Sequence, residues 1–268
     1  NMKSLKVLAC TACLMGTLTA IGMAKDVHTL AGTMTVPNDV TMVTASQTNT
    51  RNYALTEAQK ALNTSANKTN AMLVSPEQSV VNFLQNLGVN YDAYQLQGND
   101  KTGQKDAFMV AVDVKTMAEE MNKGRSMNPN MAVVMGMLDQ GKLDPAMEQL
   151  MLTSVNNVLP KQITVIPLNE PINVSGRDPK KVGVTPKSQA TLTVEDTEPM
   201  KRLDSTKYQT YTVGSRLLLN SSGWQAPYYA KAALVMKPGK PTLYIGLTSD
   251  VQRDYFSPIF DKAFKSIK

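Results

Sequence analysis

Residues 207–268 read KYQTYTVGSRLLLNSSGWQAPYYAKAALVMKPGKPTLYIGLTSDVQRDYFSPIFDKAFKSIK, and every local signal in this stretch agrees with the next. Three apolar-rich runs, 208–219, 224–236 and 242–248, are separated by Asn220-Ser221-Ser222-Gly223 and Lys237-Pro238-Gly239-Lys240-Pro241. Pro presets the backbone for a turn and Gly accepts positive φ, so both separators are turns. Strand, turn, strand, turn, strand predicts an antiparallel meander. A helix is expected next, with Ser249 three residues before Gln252 as a capping box. Val251, Tyr255, Phe256, Ile259, Phe260, Ala263, Phe264 and Ile267 recur at steps of three and four, which makes one apolar face. That face is expected to pack on the meander.

At the other end, Met2-Lys3-Ser4-Leu5-Lys6 is a short positive region followed by an apolar run, 7–20, and by Gly22-Met23-Ala24. Small residues at Gly22 and Ala24 match the pattern read by signal peptidase, so residues 1–24 are expected to be a signal peptide cut after Ala24. The run is short and rich in Thr and Gly, which disfavours a membrane anchor. The style of the leader points to bacterial export, to the periplasm or beyond. Cys10 and Cys13 both lie in this leader and are the only two cysteines, so the exported chain has no disulfide and must be held by its core. The formal charge is +6 with no run of five basic residues, so nucleic acid is not indicated.

Residues 25–268 then read as a single α+β domain. Two β-rich stretches, 27–30 and 33–43, flank Ala31-Gly32, with Pro37-Asn38-Asp39 as a bend. Residues 44–70 are polar, with one modest helix at 54–62. Ser75-Pro76-Glu77-Gln78 is a strong helix start. Val80, Val81, Phe83, Leu84 and Leu87 form its apolar face, and Gly88 ends it. Strands are expected at 91–97 and 107–114, joined by a loop at 98–103. From 115 to 159 the pattern turns helical: 116–123 ended by Gly124, 130–140 introduced by Asn128-Pro129, and 146–158 introduced by Asp144-Pro145. This insertion is Met-rich, with nine of the 17 methionines between Met109 and Met151. Beyond Pro160, strands are expected at 162–174 and 189–194, a loop at 175–187, and a turn at Glu195-Asp196-Thr197-Glu198.

Residue types that carry chemistry are few. His28 is the one histidine, which disfavours a Ser-His-Asp triad and a multi-histidine zinc site. Ser65-Ala66-Asn67-Lys68 and Lys101-Thr102-Gly103 match two elements of penicillin-interacting enzymes, but the Ser-Asp-Asn element between them is missing. Glu119/Glu120 and Glu195/Asp196/Glu198 are the carboxylate clusters, and both are expected to be solvated surface. Methionines four apart share a helix face and thioethers bind Cu(I), yet methionine more often fills irregular contacts or lines a groove for a flexible partner. Met131, Met135 and Met147 are the groove candidates. The aromatic group Trp224, Tyr228, Tyr229, Tyr244 and Tyr255 caps the core in one reading. In the other, Trp224, Tyr228 and Tyr229 extend the partner surface.

Gly32-Thr33-Met34-Thr35-Val36-Pro37 resembles the opening strand of the PsbP-like family of exported α/β/α sandwiches. The ending is also similar to that family, with Leu243-Tyr244-Ile245-Gly246-Leu247 leading into Phe256-Ser257-Pro258-Ile259-Phe260 and Phe264-Lys265-Ser266-Ile267. The aromatic that commonly follows the first Pro is replaced here by Asn38-Asp39-Val40. The resemblance implies an antiparallel sheet flanked by helices, a binding or accessory role, and no catalytic residue to carry over. The expected function is therefore an exported, non-enzymatic protein that binds an envelope, protein or small apolar partner, with no cofactor. A carboxylate-dependent envelope hydrolase and a Met-rich Cu(I)-binding protein are the alternatives.

Overall fold

Three strands in a row, β8 (Thr210–Ser221), β9 (Trp224–Val235) and β10 (Thr242–Ser249), form the expected meander. Ser221 pairs with Trp224 on either side of Ser222-Gly223, and Val235 pairs with Thr242 with the turn Pro238-Gly239 between them. The structure is a computed structural model that describes residues 24–44, 84, 88–124, 129–161, 163–167, 189–221 and 224–268. Before the meander come β1 (Ala24–Thr29), β2 (Gly32–Pro37), β3 (Thr41–Thr44), β4 (Tyr91–Asp100), β5 (Gly103–Asp113), β6 (Ile163–Pro167) and β7 (Gln189–Arg202). The helices whose full span is described are α1 (Val114–Met121), α2 (Pro129–Gln140), α3 (Pro145–Val158) and α4 (Arg253–Ser266). Eight strands form one antiparallel sheet in the order β3-β4-β5-β10-β9-β8-β7-β6, and β1 and β2 pair separately. The chain is thus α+β, an antiparallel sheet flanked by helices.

Alternation along β10 sorts the two faces. Tyr244 joins the cluster around α4, while Leu243 and Ile245 pack toward Leu84, Phe108 and Val110 on the other face. Phe256, Ile259, Phe260, Ala263 and Phe264 of α4 are buried on the first face, and Phe256, Phe260 and Phe264 stack in series. Burying each phenylalanine is worth about 1.5–3 kcal/mol. The sheet makes room for these rings with glycine. A Cβ on Gly246 would lie 2.7 Å from the Phe260 ring, and one on Gly98 would collide with the Tyr255 hydroxyl.

The β1–β2 hairpin closes the far side of α4. Ala31, Met34 and Val36 belong to the same core as the three phenylalanines. Thr33 N–H donates to the Lys268 carbonyl (2.9 Å) and Lys268 N–H to the Thr33 carbonyl (3.1 Å). Thr35 N–H donates to Ser266 Oγ (2.7 Å), and the Tyr244 hydroxyl accepts from Ala31 N–H (3.0 Å). Helix α4 is therefore held between a sheet and a hairpin.

Several local expectations are corrected. Ser249 and Gln252 form no capping box: residues Asp250–Gln252 make a 3-10 turn, and Gln252 Oε1 instead accepts from Asp106 N–H (2.9 Å). Val251 points away from the core and is 85% exposed, because that turn precedes α4 and breaks its periodicity. The loop expected at 98–103 is a two-residue turn, Lys101-Thr102, stabilised by Asp100 accepting from Thr102 N–H (2.7 Å). Residues 195–198 are not a turn but part of β7. Of the helix expected after Ser75, only Leu84 and the terminating Gly88 are described; Val89 N–H donates to the Leu84 carbonyl across Gly88 at φ 71°, a helix-ending bond. The expected elements at 54–62, 168–174 and 175–187 lie outside the described residues.

The packing gives opposite expectations for two glycines. Gly246→Ala forces a methyl against Phe260 and costs about 1–3 kcal/mol. Gly136→Ala on α2, where a Cβ meets nothing within 4 Å, gains roughly 0.5–1 kcal/mol. Urea denaturation midpoints of the two variants should move in opposite directions.

Candidate functional site

Lys231 stands in the middle of the apolar run of β9, and its side chain is buried beneath α4. A buried cation needs partners, and it has them. Its Nζ lies 2.8 Å from Asp261 and 3.3 Å from Glu198, and donates to Ser257 Oγ at 3.3 Å. Arg253, Ser257 and Asp261 recur every four residues along α4, so the helix carries a polar stripe beside its aromatic one. Arg253 Nη2 bonds Glu198 (3.1 Å) and its guanidinium lies 4.5 Å from the centre of the Tyr229 ring. The Tyr229 hydroxyl donates to Glu198 (2.7 Å) and lies 3.2 Å from Ser257 Oγ.

Glu198 reaches this site because β7 is irregular. Glu195 pairs with Arg216, Glu198 with Gly214 and Lys201 with Thr212, so one extra residue is accommodated in each interval. Two bulges of this kind bring Glu195, Glu198 and Lys201 onto a single face, which an unbroken strand cannot do. Asp196, at φ 44°, lies in the first bulge. Gly214 leaves the space: a Cβ there would stand 2.7 Å from the Glu198 carboxylate and 2.8 Å from the Tyr229 hydroxyl. Alongside, Arg216 bridges Glu195 (2.7 Å) and Asp250 (3.1 Å).

The charges in this cluster neutralise one another. Burial opposes ionisation of Glu198, but the hydrogen bond from Tyr229 and the cations Lys231 and Arg253 outweigh it and hold the carboxyl below its ordinary range. Burial alone would lower Lys231, yet Asp261 and Glu198 keep it above the ordinary range for a lysine. The Tyr229 hydroxyl is pushed up, by burial first and then by Glu198 against the opposing bond to Ser257. A serine nucleophile needs a neutral base, and Lys231 is held protonated. A general acid needs a raised carboxyl, and Glu198 has a lowered one. The cluster is a set of ion pairs that fastens α4 to β7 and β9. Among the described residues no group of three His, Cys, Asp or Glu side chains could hold a metal ion. No described helix is long and apolar enough to cross a membrane.

The residues singled out from sequence do not form one patch. Tyr228 and Tyr229 are buried on opposite faces of the sheet, so neither belongs to an exposed surface. Tyr244 is likewise in the core. Met135 is half-buried against Leu138, Leu143, Tyr211 and Met236, where α2 and α3 meet the sheet. Met147 is half-buried in the first turn of α3, its N–H capped by Asp144 (2.8 Å). The side chains of Met131 and Trp224 lie outside the described residues. Lys231, Ser257, Asp261, Arg253 and Arg216 were missed, although a lone lysine inside an apolar strand was a signal in plain view. No protein-family model and no curated protein sequence matches the chain.

Removing the central cation tests this assignment. Lys231→Met strands Glu198 and Asp261 beside each other and costs roughly 2–4 kcal/mol, moderated because both carboxylates reach water. The pH dependence has a definite sign. Glu198 has a depressed folded value, so its contribution is complete above its ordinary 4.5 and is lost as pH falls through the lower folded value. Acid unfolding of Glu198→Gln should therefore show a shallower loss of stability below pH 4.5 than the parent protein.

Proposed function

We propose that this is an exported, non-enzymatic binding protein whose partner docks by apolar contact on the layer formed by α2 and α3. The observation that carries the reading is the outward surface of those helices: Val133, Leu150 and Val158 are 55%, 59% and 54% exposed. Charge is scarce there, because Asp139 is paired with Lys115, Asp144 caps α3, and Glu148 binds Tyr211 and Arg202. Interface cores are depleted in free charge in the same way. The partner is an apolar protein surface or envelope component; nucleic acid finds no basic patch in the sequence. A PsbP-like α/β/α arrangement is supported by helices on both faces of an antiparallel sheet and by Pro37 closing β2. Export through a leader ending at Ala24 is supported by the sequence pattern of residues 1–24.

The carboxylate-hydrolase alternative loses ground because Glu198 and Asp261 share one buried lysine. The Cu(I) alternative keeps one observation in its favour, the gathering of Met135, Met137, Met151, Met200 and Met236 around Tyr211. Met→Leu changes at Met135 and Met151 preserve volume, so they should leave folding intact and cost less than about 1.5 kcal/mol. Tight Cu(I) binding that these changes abolish would favour the metal reading.

Photo-crosslinking residues placed at Val133 and Leu150 in exporting cells should each yield a discrete adduct absent at Thr102, on the far hairpin tip. Adducts that are equally frequent at Thr102, or none at either helix, would overturn the docking surface. Mass spectrometry of the exported chain should give Lys25 as its first residue, and a retained leader would contradict export by cleavage.

A further inference from the structure

Helix α3 is anchored at both ends and along its length. Ahead of it Leu143 is buried and its N–H donates to Gln209 Oε1 (2.9 Å). Past Val158 the chain runs through the short 3-10 helix Leu159–Lys161 into β6, which pairs with β7. Between these ties, Glu148 accepts from the Tyr211 hydroxyl and from Arg202 Nη1 (3.2 Å), and Asn156 accepts from Met200 N–H (2.6 Å). Together they fix which side of the helix faces water. From Ala146 onward the exposed positions of α3 fall on two ridges of spacing four. One is Ala146-Leu150-Ser154-Val158. The other, beside it, is Gln149-Thr153-Asn157. None of these side chains is charged, although about a quarter of the residues in an ordinary soluble domain are.

The longer ridge alternates small, large, small, large. Laid beside a second copy running the opposite way, it brings Ala146 against Val158 and Leu150 against Ser154, so a large side chain meets a small one at every level. A parallel pair would instead set Leu150 on Leu150 and leave gaps at the alanine and the serine. Interlocked ridges of spacing four are the commonest mode of helix packing, with axes about 8–10 Å apart. An opposed pair is also what a twofold axis generates, each contact being returned by the other copy. We propose that the partner is a second copy of this chain, docked α3 against α3 across a twofold axis. Charge favours the same occupant. Each copy carries a formal charge of +6, so two copies repel, and they approach most readily over a face that holds no charge. A helix of 14 residues is about 21 Å long and 10 Å wide, so the contact is small and the dimer weak and concentration-dependent. The inference rests on the docking surface proposed above and names its occupant.

Sedimentation equilibrium of the full protein, over a concentration series reaching about 1 mM, tests this, with circular dichroism confirming that each exposed substitution leaves the fold intact. The parent protein should dimerise reversibly, and more tightly as salt screens the like charges. Leu150→Ser leaves a gap opposite Ser154, and Ser154→Leu crowds Leu150. Each change acts twice across the axis, so each should weaken the dimer by roughly tenfold or more. The double variant Leu150→Ser, Ser154→Leu inverts the two central levels and should recover the parent's affinity. Val251→Ser, on the turn before α4, should change nothing. An apolar patch without this register would be strengthened by Ser154→Leu. That result, or a double variant that fails to recover, would overturn the pairing. A parent protein that stays monomeric, with its Leu150 crosslink joined to a different protein, overturns the pairing and leaves the docking surface standing. No crosslink at either helix overturns both.

Discussion

The aromatic edge of α4 has to be kept from water on two sides at once, and most of the architecture follows from that. The stacked Phe256, Phe260 and Phe264 lie on a sheet hollowed by Gly246, while Met34, Val36 and Ala31 of the hairpin cover them from beyond. Neither surface alone would suffice for a helix whose apolar stripe is this bulky. The backbone pairing of Thr33 with Lys268 ties the hairpin to the residues just past α4. Without cysteine outside residues 1–24, this burial is the principal tie between the two ends of the described fold.

Once α4 is placed, its orientation about its own axis is set by charge. The stripe Arg253, Ser257, Asp261 meets Lys231, Tyr229 and Glu198, and rotation by one residue would take Asp261 and Ser257 away from Lys231 and Arg253 away from Glu198. Buried ion pairs add little net stability over a well-packed apolar core, but they penalise wrong arrangements heavily. The cluster is best understood as a device for register, and its mutual neutralisation separates it from the polarised groups of acid–base catalysis.

Much of this was legible from residues alone. The meander and α4 could be read because turn residues, alternation and helical periodicity coincide in residues 208–267. The signals failed where a residue's role depends on a distant strand. Glu195-Asp196-Thr197-Glu198 looks like a turn because its composition is that of a turn; only pairing with Arg216 and Gly214 turns it into bulged strand. Ser249 looks like a cap, but Asp106 of β5 claims Gln252. Tyr228 and Tyr229 are adjacent in sequence, but strand alternation places them on opposite faces of the sheet, so they do not make one surface. Lys231 is a charge inside an apolar run, which implies partners although not which ones.

The central claim is that the three phenylalanines of α4 are shielded on both sides. Three of the five phenylalanines in the chain are at these positions, which makes fluorine NMR of fluorophenylalanine-labelled protein in the presence of a soluble paramagnetic agent a direct test. The account predicts that the resonances of Phe256, Phe260 and Phe264, assigned by single replacement, stay sharp as the agent is added. Broadening of these three to the extent seen for a freely exposed ring would contradict it.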